Sequence, residues 1–198
     1  MNRLLILPVL LLTLLVGNPA FSDDFQKGLD AAQKGDFATA LKEWKLTAEQ
    51  GYVSAQSNLG RMYEKGRGVL QDYKTAVKWW KFAAERGFAS AQFNLGFMYG
   101  KGQDVPQNYK TAVKWYKLAA EQGHASAQTN LGTMYDDGQG VLQDYIRAHM
   151  WFNIAASSGE SKKASKNRDI VAKRMTTSQI ETAQKLAREY VKKNYKGC

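Results

Sequence analysis

The sequence predicts an all-α protein, an α-solenoid of antiparallel helix pairs with a C-terminal capping helix. One observation behind this is a repeat. A 33-residue stretch occurs three times at a spacing of 36, as Ala55–Gly87, Ala91–Gly123 and Ala127–Gly159, and the first two copies agree at 23 of 33 positions. The other is that apolar residues inside each copy follow a helical period and are bounded by capping residues. Self-similarity at this period marks a stacked array, in which each unit buries its apolar face only against its neighbours. Arrays of this kind serve mainly to bind other macromolecules.

The elements follow in chain order. Residues 1–22 read as a secretory leader: Arg3, an apolar run from Leu4 to Val16, a break at Gly17-Asn18-Pro19, and the small-x-small site Ala20-Phe21-Ser22. The run is shorter than the roughly 20 apolar residues a bilayer span needs. Cleavage is expected near Ser22–Asp23, giving a periplasmic or secreted product. Residues 23–52 form a partial first unit with a short turn at Gly35-Asp36. Three full units follow, at 53–88, 89–124 and 125–160. In the first of these Ala55, Leu59, Met62 and Tyr63 share one helical face, and Gly66 ends that helix as a left-handed residue. Asp72 caps the second helix, whose buried side holds Tyr73, Ala76, Trp79, Trp80, Ala83 and Ala84. The later units repeat the scheme through Gly102 and Asn108, then Gly138 and Asp144. Gly60, Gly96 and Gly132 stand in helix interiors, where glycine costs about 1 kcal/mol against alanine, so close packing is expected there. Trp79, Trp115 and Trp151 are expected as wedges between consecutive hairpins. Trp44 aligns with Trp80 instead, and a slightly different packing is expected for it. Asp104 stands where the sister units carry Gly68 and Gly140, which predicts a differently shaped loop.

After Gly159 the period is lost. Residues 161–198 form a basic capping segment with a net charge of +8, against +1 for residues 23–160. Ser161–Arg174 is mostly polar and basic. A terminal helix is expected over Gln179–Lys193, with Ile180, Ala183, Leu186, Ala187, Tyr190 and Val191 on one face. Ser178 and Glu181 suit a capping box for it. The basic block reads either as the solvated face of a terminal cap or as a contact for anionic envelope surfaces.

The frame A-Q-x-N-L-G-x-M-Y-x-x-G…Y-x-x-A-x-x-W-x-x-x-A-A-x-x-G resembles the Sel1-like repeat, a relative of the tetratricopeptide repeat, over three full units and a partial one. The resemblance implies paired helices, with first helices lining a concave surface, and a scaffold or adaptor that binds another protein or peptide. Some Sel1-like proteins of one bacterial lineage are linked to penicillin binding and hydrolysis, which implies a β-lactam or cell-wall enzyme as the alternative. Those relatives carry disulfide-bridged repeats, whereas this chain has one cysteine, Cys198.

Residues that carry chemistry are sparse. His124 and His149 stand in different repeat contexts, without a second ligand at metal spacing. Asp136 and Asp137 are adjacent and diverge by about 100° on a helix. No catalytic, metal or cofactor site is expected, and nucleic acid is not an expected partner. Cys198 permits a disulfide-linked dimer or a free thiol. The functional signal is the contrast between fixed and varied positions. Asn58, Asn94 and Asn130 recur in every unit, as structural hydrogen-bonding residues or as a ligand clamp. Ser57, Phe93 and Thr129 vary at the next phase, as do Arg61, Phe97 and Thr133 one turn on. Phe93 and Phe97, one turn apart, form with Arg61 a candidate partner-binding patch. The other reading is that these two rings fill a gap against the neighbouring hairpin.

Overall fold

The computed structural model describes residues 19–157, 159 and 161–195. Most of the expected leader and Cys198 therefore lie outside the described residues. Ten helices occur among the described residues, and no strand. They are α1 (Pro19–Gln33), α2 (Phe37–Glu49), α3 (Val53–Lys65), α4 (Tyr73–Glu85), α5 (Ala89–Lys101), α6 (Tyr109–Ala120), α7 (Ala125–Asp137), α8 (Tyr145–Ser157), α9 (Lys162–Ala172) and α10 (Thr177–Lys192). Each helix from α1 to α8 packs on the next, and α10 folds back onto α8.

The repeat residues set this arrangement through local hydrogen bonds. Asp36, Asp72, Asn108 and Asp144 accept the backbone N–H three residues on, at 2.9–3.0 Å, and so start every second helix. Gly66, Gly102 and Gly138 end the first helices at φ of 63°, 68° and 68°. Gln71, Gln107 and Gln143 then donate from Nε2 to the carbonyls of Glu64, Gly100 and Asp136, latching each interhelix loop to a helix end. Gln56, Gln92 and Gln128 are buried and donate to the carbonyls of Ala48, Ala84 and Ala120 at 3.1 Å. Each of these bonds ties the start of one unit to the end of the one before.

The wedge lies one residue away from where the sequence places it. Trp80, Tyr116 and Phe152 are buried, whereas Trp79 and Trp115 are only half-buried. Each buried ring sits on a glycine of the first helix in its own unit. A methyl group on Gly96 would stand 2.6 Å from Tyr116 Cδ1, and one on Gly132 would stand 2.7 Å from Phe152 Cε1. Gly60 meets Trp80 and Gly28 meets Trp44 in the same way. Trp44 thus holds the regular wedge position, contrary to the expectation that it packs differently. Its indole N–H donates to the Phe25 carbonyl at 3.3 Å, as that of Trp80 donates to the Ser57 carbonyl at 3.1 Å.

Three further expectations change. The Asp104 loop keeps the form of its sisters, because Asp104 itself takes a left-handed φ of 52° beside 70° and 74° at Gly68 and Gly140. Polar residues 162–172 are helical: Ser161 caps α9, whose buried Val171 meets Ala148 and Phe152. The capping box of α10 is Thr176 with Gln179, two residues ahead of Ser178 and Glu181. The terminal segment thus holds a second helix, α9, ahead of the expected one. Helix α9 closes the end of the stack, and α10 covers the side of α8.

Candidate partner-binding clefts

Two equivalent clefts open on the first-helix face, each between consecutive units. One, of about 280 Å³, runs between the partial unit and the first full one; Phe37 and Trp44 line one side, Asn58, Arg61, Met62 and Lys65 the other. The second, of about 410 Å³, lies two units on. Phe97, Lys101, Tyr109 and Tyr116 face Asn130, Thr133 and Met134, and Lys163 of α9 completes it. Position by position these walls correspond at a shift of 72 residues: Asn58 with Asn130, Arg61 with Thr133, Met62 with Met134. The wedge ring of the preceding unit borders each cleft.

Both clefts are lined by cations and neutral side chains, without a carboxylate. Arg61, Lys65 and Arg67 stand at the first, with the Arg67 guanidinium 5.4 Å from the Phe37 ring centre. Lys101 and Lys163 stand at the second. At the second cleft Asn130 interacts with the Tyr116 hydroxyl, and burial pushes the Tyr116 phenol up to about 12, so it stays neutral.

Arg61 and Phe97 thus line different clefts. Arg61 is exposed and Phe97 half-buried. Phe93 is half-buried and points into the unit boundary, stacked on His124 at 4.7 Å and 6.0 Å from Tyr116. His124 caps α7, its Nδ1 accepting the Ala127 N–H at 3.3 Å. Asn58 and Asn130 line the two clefts, and Asn94 is half-buried at the same phase between them. What the sequence reasoning missed is the inter-unit groove itself. Its signal was present in the 72-residue correspondence of Asn58, Met62, Asn130 and Met134, next to rings of the preceding unit.

Another cleft, of about 500 Å³, lies under α10, between Trp151 and Tyr190, with Lys117, Arg147, Lys193 and Glu189 around it. The Tyr190 hydroxyl stands 3.5 Å from a Glu121 oxygen. His149 lies elsewhere on α8, buried, with Nδ1 lacking a hydrogen-bond partner among the described residues. Burial and then Arg168 hold its pKa below the ordinary value. Asp136 pairs with Arg174 at 2.9 Å, yet burial leaves its carboxyl above the usual range. No group of three His, Cys, Asp or Glu suited to a metal ion occurs among the described residues.

Comparison with known proteins agrees with this architecture. The Sel1 repeat matches residues 53–88, 89–124 and 125–160. Among solved structures, c5321, a protective antigen present in uropathogenic Escherichia coli strains and displaying an SLR fold, is 31% identical with a TM-score of 0.74. That match covers 85% of this chain and 41% of the E. coli protein, so this chain spans about two fifths of its length. A Sel1 repeat protein from Oxalobacter formigenes is 38% identical with a TM-score of 0.60, over 66% of this chain and 97% of that one. No curated protein matches. Sel1 repeats commonly act as protein–protein interaction scaffolds. With three contiguous units over residues 53–160 and two solved relatives of the same fold, the chain belongs to the Sel1 repeat family.

Proposed function

We propose that this protein is an exported adaptor of the bacterial envelope that binds an extended segment of a partner protein along its first-helix face. The observation that carries the reading is the pair of equivalent, cation-lined clefts between successive units. An extended chain lying across the units places apolar side chains beside Phe97 and Met62, and its carboxylates beside Arg61, Lys65, Lys101 and Lys163. Asn58 and Asn130 supply amide groups at the cleft walls for its backbone. Export rests on the leader-like residues 1–22.

The test is capture of a partner from periplasmic extract by the immobilised chain, repeated with Arg61→Thr and Phe97→Thr. Both changes install the residue that the third unit carries as Thr133. Each variant is expected to melt within about 1 kcal/mol of wild type and to lose capture. Phe93→Ser is a poorer probe because it also removes the stack on His124. Undiminished capture by folded Arg61→Thr, Phe97→Thr double mutant overturns the placement of the site.

A further inference from the structure

The second helices carry an apolar row that the chain covers in one unit and leaves open in two. Trp151 and Ile154 on α8 are 2% and 3% exposed because α10 lies over them, with Tyr190 edge-on to Trp151 at 5.0 Å and Ala187 beside Ile154. The same positions one and two units earlier are Trp115 with Leu118 and Trp79 with Phe82. There Phe82 is 43% and Leu118 36% exposed, and both tryptophans are half-buried. Trp79 and Phe82 meet edge to face at 5.9 Å.

The charges beside this row change where α10 sits. Units one and two carry Lys78 and Lys114 at one flank, and Lys81 and Lys117 at the other. In the third unit these positions are Met150 and Asn153. Arg188 and Lys192 of α10 share a cleft with Asn153, so a lysine there would meet two like charges. Lys81 and Lys117 pair with Glu85 and Glu121 on their own helices at 4.0 and 3.8 Å, and Lys117 also lines the cleft under α10. Lys78 and Lys114 are therefore the cations that set the open row apart from the covered one, where Met150 stands.

We propose that the row Trp79, Phe82, Trp115 and Leu118 is a docking surface for an amphipathic helix of a partner protein, with acidic residues flanking its apolar stripe. The apolar row is continuous with the one α10 occupies, and so the mode of contact is the one the molecule already shows: an apolar helix face across Trp and its neighbour one turn on. Lys78 and Lys114 select carboxylates on that helix and disfavour a second copy of α10, whose Arg188 and Lys192 would repel them. This surface is distinct from the clefts of the first-helix face.

The test uses two fluorescently labelled peptides spanning residues 177–193, one native and one with Arg188→Glu and Lys192→Glu, titrated against the intact protein. The acidic peptide is expected to bind at least about tenfold tighter at low ionic strength, with the difference shrinking as salt rises. Phe82→Ser with Leu118→Ser is expected to weaken it at least about tenfold with an unchanged circular dichroism spectrum, and Lys78→Glu with Lys114→Glu to invert the preference toward the native peptide. Arg61→Thr with Phe97→Thr is expected to leave peptide binding unchanged, so failure here and failure of the first-helix reading are told apart. Equal binding of the two peptides, or binding indifferent to Phe82→Ser and Leu118→Ser, overturns the proposal. So does a row that instead drives self-association in sedimentation, or that binds phosphatidylglycerol vesicles without binding the acidic peptide.

Discussion

Adjacent aromatic residues on one helix have opposite surroundings, and stability measurements can separate them. Trp80 is 1% exposed, sits on Gly60 and donates its indole N–H to the Ser57 carbonyl. Trp80→Ala is expected to cost about 3–5 kcal/mol in denaturant titration, since it empties a large buried site and removes the indole hydrogen bond across the hairpin. Trp115 is half-buried beside the Lys114 ammonium, 5.9 Å from its ring centre, and its change to Ala is expected to cost about 1 kcal/mol. Equal costs would return the wedge to Trp115. The sequence did not resolve this pair because neighbours on a helix differ by about 100° and both fall within a broad apolar stripe. Trp44 carried the missing signal: the partial unit has Glu43 at the Trp79 phase and keeps the ring at the Trp80 phase. His149 gives a second prediction. Its folded pKa lies below the unfolded 6.5, so the neutral ring's contribution is whole above that value and is lost as pH falls below it. His149→Val installs the residue of Val77 and Val113 and removes a buried nitrogen without a partner. The variant is expected to gain about 1 kcal/mol at pH 7. Its unfolding midpoint should also fall less than that of wild type between pH 7 and 5. Parallel pH profiles for the two proteins would show that His149 is not the titrating group.

The two terminal helices divide one expected task. α9 packs its Val171 against Ala148 and Phe152 at the end of the stack, and Arg174 just beyond it pairs with Asp136. α10 covers Trp151 and Ile154 on the side. Removing residues 176–198 is therefore expected to leave a folded protein whose tryptophan emission shifts to longer wavelength, as Trp151 comes to resemble Trp115. Removing residues 161–198 uncovers the end of the stack as well, and is expected to give aggregation in sedimentation, since a solenoid end needs a polar cover. Identical behaviour of the two truncations would mean that α9 seals nothing. Helix α9 was hard to see in the sequence because only Ala164 and Val171 of its residues are buried, too few to show a period. The start of α10 was misplaced for a different reason: Thr176, Thr177 and Ser178 are all competent caps, and both Gln179 and Glu181 stand at the spacing of a capping box. Only the packing of Ala183, Ala187 and Tyr190 selects the register.

At the scale of the whole molecule the repeat made the helices, their caps and their order legible, because one local rule is written several times over. The inter-unit clefts were not, since each is built from one unit's wedge ring and the next unit's Asn and Met, and no single copy of the motif contains both. The same modularity sets how damage spreads. Gln56, Gln92 and Gln128 tie each unit only to the one before it, and each helix up to α9 packs chiefly on its immediate neighbours in the chain. Stability in such a stack is the sum of unit and nearest-neighbour terms, so a loss in one unit stays local until it exceeds the coupling across the next boundary. Trp80→Ala is therefore expected to speed amide hydrogen exchange in α2 to α5, the elements beside the emptied wedge. Exchange in α8 to α10, beyond two intact boundaries, should stay at the wild-type rate. The partner clefts then respond separately as well: the one at Asn58 and Arg61 weakens while the one at Asn130 and Phe97 persists. A uniform rise in exchange along all ten helices would show instead that the array opens as one cooperative body, with the terminal helices unable to hold their end alone.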